Sequence, residues 1–129
     1  MAKTLAMVFG VVFVLVGLLG FFDNPIVGMN GFFQTDLLHN LVHLIVGVVL
    51  LGVAMMAAEQ SALALKVFGV VYLLVAVLGF VATTDGKILG LITANTWDHY
   101  LHIVLGVVLV AAGFMGNKSS SPMPMAGQM

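Results

Sequence analysis

The chain is 129 residues long, 62% hydrophobic and only 7% charged, with a mean hydropathy of +1.22. Water-soluble domains are about half apolar and about a quarter charged, so a soluble globule is excluded and the chain belongs in a membrane. A net charge of -1 with four lysines and no arginine leaves no basic face for nucleic acid, and the absence of cysteine removes disulfides, thiol redox motifs and thiolate metal sites.

Lys3 precedes the first apolar run, about Leu5 to Phe22, and three more follow: Leu37 to Ala58, Val67 to Thr83 and His99 to Met115. At about 1.5 Å of rise per residue, roughly 20 helical residues cross a hydrocarbon layer about 30 Å thick, and each run approaches that length. The runs contain no proline and none of the alternating polar positions of a barrel strand. Helices are therefore expected, because each satisfies its own backbone without water.

A lysine ahead of an apolar core is also the form of a signal peptide. Shifting the sequence by 59 residues, however, lays Phe9-Gly10-Val11-Val12-Phe13 on Phe68-Gly69-Val70-Val71-Tyr72 and Leu19-Gly20-Phe21 on Leu78-Gly79-Phe80. The same shift lays His43 through Leu50 on His102 through Leu109 without a gap. A segment with a twin mid-chain reads as structural, so Met1 onward is expected to be retained. The repeats cover about residues 3–58 and 62–116 of one transmembrane domain, 1–116. Two spans per repeat imply a two-fold axis along the membrane normal. Lys3, Lys66 and Lys118 flank one side and Lys87 the other, which places both termini in the cytoplasm. The loops Asp23 to Asp36 and Asp85 to Trp97 then face outward. Trp97 and Tyr100 fall at an interfacial aromatic belt, and Phe21, Phe22, Phe32 and Phe33 are expected to close that end of the bundle. Residues 117–129, rich in Ser, Pro and Met, are expected to form a disordered cytoplasmic tail. The tail's methionines offer soft ligands to Cu(I), although such loose spacing reads first as plain tail.

Small residues recur seven apart on every span: Gly10/Gly17, Gly47/Ala54, Gly69/Ala76 and Gly106/Gly113. Burying leucine against leucine drives nothing in lipid, so close backbone approach has to hold the helices together. Seven residues is nearly two turns, which suits a left-handed bundle with these stripes turned inward.

All four histidines lie in two segments, Asp36-Leu37-Leu38-His39-Asn40-Leu41-Val42-His43 and Asn95-Thr96-Trp97-Asp98-His99-Tyr100-Leu101-His102. At about 100° per residue, Asp36, His39, His43 and Gly47 share one helix face, as do Asn95, Asp98, His102 and Gly106. Ionisable groups inside a span usually face the bundle interior and mark function. Three readings stay open. Asp36, Asn40, Asn95 and Asp98 cap helices or hydrogen-bond the histidines. Alternatively His39, His43 and His102, with Asp36 and Asp98 as ligands or orienting groups, bind Zn(II), Fe or Cu(II). In the third, His43 and His102 hold a b-type haem, Gly47 and Gly106 leaving room for the ring, although no arginine is present to meet the propionates. A proton relay needs polar groups continuing across the membrane, and below His43 and His102 none follows until Glu59 and beyond Met115. No phosphate loop, Gly-x-Ser-x-Gly elbow or nucleophilic cysteine points to an enzyme of the usual sort.

The paired pattern Asn40-x-x-His43-x-x-x-Gly47 and Asp98-x-x-x-His102-x-x-x-Gly106, with Phe9-Gly10-Val11-Val12 and Phe68-Gly69-Val70-Val71 opening the halves, resembles a bacterial domain-of-unknown-function family of small four-helix integral membrane proteins. The resemblance covers about residues 3–115 and implies a bacterial plasma-membrane protein; it brings no activity or ligand with it. His99 stands where the repeat puts Asn40, so the two halves differ at that point. An all-α membrane protein is therefore expected, with four transmembrane helices arranged as two tandem hairpins in a four-helix bundle. The expected function is that of a non-enzymatic membrane protein, packing against itself or a larger complex in the bilayer, with His43 and His102 as its central polar contact. The alternative is a divalent-metal or haem b redox protein using His43 and His102, with Asp36, His39 and Asp98 around them.

Overall fold

A computed structural model describes residues 1–119. Four helices make up most of it: α1 (Ala2–Leu19), α2 (Leu37–Met56), α3 (Ser61–Val81) and α4 (Thr96–Ser119). All four are long and apolar enough to cross a membrane, so the chain is a multi-pass membrane protein. A single 3-10 turn, Ala58–Gln60, joins α2 to α3.

Two boundaries depart from the hydropathy pattern for local reasons. α3 begins six residues before Val67 and takes in Lys66. The lysine stem packs over Gly113 and its ammonium lies 4.4 Å from the Phe114 ring centre, so the charge is carried at the helix end without entering lipid. α4 continues through Ser119, past the expected end of the domain at 116. Residues 120–129, with most of the expected tail and its proposed copper ligands, lie outside the described residues.

The small-residue stripes face the hairpin mate rather than a common bundle axis. A Cβ on Gly10 would lie 3.0 Å from the Gly47 carbonyl oxygen, and one on Gly47 would lie 2.7 Å from that of Gly10. Gly69 and Gly106 repeat the arrangement, each 2.9 Å from the other's carbonyl oxygen. Only hydrogen fits between backbones this close, which is why α1 packs on α2 and α3 on α4 so extensively. The hairpins then meet through larger side chains. Phe13 and Tyr72, equivalent positions of the repeat, pack with ring centres 5.2 Å apart in the core beside Val46, Leu50, Leu65 and Leu109. α1 contacts both α3 and α4, and α2 contacts α3, whereas α2 and α4 scarcely touch. That long diagonal is where the histidines sit.

The two long connections, α1 to α2 and α3 to α4, lie over one end of the bundle. In the first, β1 (Val27–Gly28) pairs in parallel with β2 (Phe33–Gln34); in the second, β3 (Thr83–Thr84), β4 (Lys87–Ile88) and β5 (Ile92–Thr93) form an antiparallel sheet. Asn24 organises the first: its amide donates to the carbonyls of Leu19, Phe22 and Val27, and its oxygen accepts from the backbone of Ile26 and Val27. Phe32 packs on Trp97 and on Phe33, each pair with centroids 5.0 Å apart. Phe21 and Phe22 take no part in these ring contacts and are 46% and 68% exposed.

Candidate metal centre

Each histidine is placed by a helix start. Asp36 precedes α2 and its carboxylate accepts from the backbone N–H of His39 at 2.9 Å, a side-chain N-cap. Asn95 precedes α4, and the side chains of Asn95 and Asp98 each accept from the other's backbone N–H, at 3.0 and 2.7 Å. This is a reciprocal capping box with an aspartate at its third position. His43 lies six residues into α2 and His102 six into α4, each about 9 Å below the helix start at 1.5 Å per residue.

The two loop systems also cross over to the opposite half. Thr93, on β5, donates its N–H to Asp36 at 3.1 Å and accepts from the His39 ring Nδ1 at 2.6 Å. Asp98 accepts from the backbone of Gln34, the repeat-equivalent of Thr93. Burial raises the Asp36 pKa, but the hydrogen bonds from His39 and Thr93 outweigh it and hold the carboxyl below its ordinary value. Because a carbonyl can only accept, His39 carries its proton on Nδ1 and presents an Nε2 lone pair.

The His39 ring lies beside two other imidazoles. His39, His43 and His102, all buried, each offer one ring nitrogen within 4.8 Å of the others'. Ring centres are 4.7 Å apart for His39–His43, 5.6 Å for His39–His102 and 6.3 Å for His43–His102. Asp36 and Asp98 are not in this group; both are committed to backbone N–H groups at the helix starts. His99 is buried elsewhere, its ring against Gly79 on α3, as Asn40 lies against Gly20 on α1.

The polar groups at the centre are under-satisfied. Neither ring nitrogen of His43 has a hydrogen-bond partner, nor does Nδ1 of His102, nor the Tyr72 hydroxyl. His43 and His102 thus meet ring against ring, with no hydrogen bond between them. Buried polar groups are almost always paired, so a cluster left unpaired calls for a ligand. Tyr72 packs against both rings, with centroids 6.3 Å from His43 and 5.4 Å from His102. The sequence reading passed over Tyr72 and Thr93. A signal for the first was present, since Tyr72 adds a hydroxyl where its twin, Phe13, has none.

A cavity of about 220 Å³ adjoins the three imidazoles and Tyr72. A b-type haem does not fit here. The space that Gly47 and Gly106 were expected to leave is filled by Val14 of α1 and Leu73 of α3.

A family model described as "Domain of unknown function (DUF4383)" matches residues 3–115. No curated protein and no solved structure matches the chain.

Proposed function

The chain belongs to the DUF4383 family of unknown function, and from that premise we propose that it is a membrane protein that binds a first-row transition-metal ion through His39, His43 and His102. The observation that carries the reading is a trio of buried imidazoles whose donor atoms converge within 4.8 Å while His43 has no hydrogen-bond partner at all. His39 adds a second support. Metal-binding histidines commonly donate their other ring N–H to a carbonyl, which fixes tautomer and orientation, and Thr93 supplies that carbonyl.

Three imidazoles suit Zn(II), Cu, Fe or Ni, and three protein ligands with one open position are the pattern of a zinc ion that acts on a fourth group. With bonds of about 2.0–2.1 Å, tetrahedral donors sit about 3.3 Å apart, so the three nitrogens need to close by at most about 1.5 Å. Rotation of the unpaired His43 ring supplies part of that movement. The three imidazoles and Tyr72 line one cavity, so a fourth ligand would come from that side. An oxygen ligand there that gave up a proton would offset part of the ion's charge. A bound ion would supply Lewis acidity to that ligand.

The lysine distribution supports termini on the cytoplasmic face of a bacterial plasma membrane, with the metal centre toward the opposite surface. Thiol labelling of a Cys introduced at Lys87 but not at Lys3 in intact cells checks this orientation.

Equilibrium dialysis of the detergent-purified protein against buffered Zn(II), read by elemental analysis, tests the site. One equivalent is expected in the wild type, and at least 100-fold weaker binding in His43→Phe/His102→Phe. Sub-stoichiometric zinc, or equal affinity in a variant that retains its helical circular dichroism, would contradict the proposal.

A further inference from the structure

The cavity beside the three imidazoles is bounded on one side by exposed residues. Its inner end is His39, His43, His102 and Tyr72; its walls are aliphatic side chains of α2 and α3; its roof is the turn between β4 and β5. The mouth is formed by Val71, Leu89 and Leu91, which are 41%, 57% and 63% exposed. Leu89 is held at a φ of 54°, a conformation unfavourable for a bulky residue, by a hydrogen bond from its N–H to the Ala82 carbonyl. The roof thus turns two leucines outward beside α3, and the opening is lined by apolar side chains.

Size and polarity narrow what can enter. An apolar cavity of about 150 Å³ takes up benzene, so about 220 Å³ accommodates one substituted six-membered ring. A carboxylate or phosphate head would have to pass an aliphatic mouth, and neither a lysine nor an arginine lines the cavity to neutralise it. A plain hydrocarbon would leave the Tyr72 hydroxyl and the His43 nitrogens as unsatisfied as they are now. The complementary molecule is neutral, lipid-soluble, one ring wide and equipped with a hydrogen-bond acceptor. We propose that the cavity admits the ring of a membrane-dissolved quinone from the flank between α2 and α3, one carbonyl oxygen directed at the Tyr72 hydroxyl and the three-histidine centre and the tail left in lipid.

The test uses duroquinone (a single methylated quinone ring) and durene, the same ring without oxygens. Each is titrated calorimetrically into the full chain in lipid nanodiscs, with protein-free nanodiscs correcting for partition. Saturable one-site binding of duroquinone and none of durene is expected. Val75→Phe, which fills the cavity wall, and Tyr72→Phe, which keeps the ring and removes the hydroxyl, should each weaken binding at least 10-fold. Val75→Phe should keep its zinc equivalent. Duroquinone uptake equal to that of bare nanodiscs, equal saturation by durene, or unchanged affinity in Val75→Phe overturns the inference. It rests on the metal-centre reading in that the same imidazoles form the polar end, and zinc measured on the same samples separates the two. Zinc without saturable quinone binding overturns the quinone site alone. Quinone binding without zinc overturns the metal centre and leaves Tyr72 as the anchor.

Discussion

At the residue scale, Asp36 joins the two halves of the repeat. Its carboxylate starts α2 through His39 and fixes β5 through Thr93, and Thr93 in turn orients the His39 ring. Asp36→Ala should lower stability by about 0.5–2 kcal/mol, the usual cost of a lost cap, measurable as a lower Tm in detergent. Because the carboxyl titrates below its unfolded value, its contribution is present above the ordinary carboxylate range and lost as pH falls through the lowered folded value. Melting curves from neutral pH to about pH 3 should therefore show a steeper acid loss in the wild type than in Asp36→Asn; parallel losses would count against this role. The caps were legible because Asp and Asn stand just ahead of apolar runs. Thr93 and Asn24 were not, because their partners come from loop-to-helix and loop-to-loop packing that no local spacing encodes.

At the scale of the helix, the glycines divide by what they face. Gly47 meets the Gly10 carbonyl and Val14, whereas a Cβ on Gly52 of the same helix meets nothing within 4 Å. Gly47→Ala should thus cost about 1–3 kcal/mol through overpacking, while Gly52→Ala leaves stability unchanged or raises it by up to about 1 kcal/mol. Denaturant-induced unfolding in mixed micelles compares them; equal effects would remove close backbone approach as the cause of hairpin packing. The seven-residue spacing identified the contact faces, since it is a property of one helix. It did not identify their partners. Glycines suited to a common axis and glycines suited to a hairpin mate have the same period, and the choice is made by the short 3-10 turn and the paired loops. The start of α3 was missed for a different reason: hydropathy treats Lys66 as wholly polar, whereas its stem packs like a hydrocarbon.

Across the whole molecule, duplication produces the site. Two hairpins, each closed by its own glycines, meet through Phe13 and Tyr72 and leave α2 and α4 apart on the long diagonal. Into that gap the first half contributes two imidazoles and the second contributes one, along with the only hydroxyl of the group. The approach of His43 to His102 was readable from repeat symmetry and helix phase. The exclusion of the two aspartates from the cluster was not, because each is drawn outward by backbone donors of the opposite loop. Metal binding should accordingly couple the halves, with zinc raising the Tm of the wild type by several degrees, in line with about 2.7 kcal/mol at 100-fold excess over Kd.

X-ray absorption at the metal edge of the zinc-loaded protein tests the centre most directly. We predict a first shell at about 2.0–2.1 Å containing three nitrogen scatterers with the outer-shell pattern of imidazole, diminished in His39→Phe, His43→Phe and His102→Phe alike. A shell of oxygens alone, or an imidazole pattern unaffected by replacing these three residues, would contradict it.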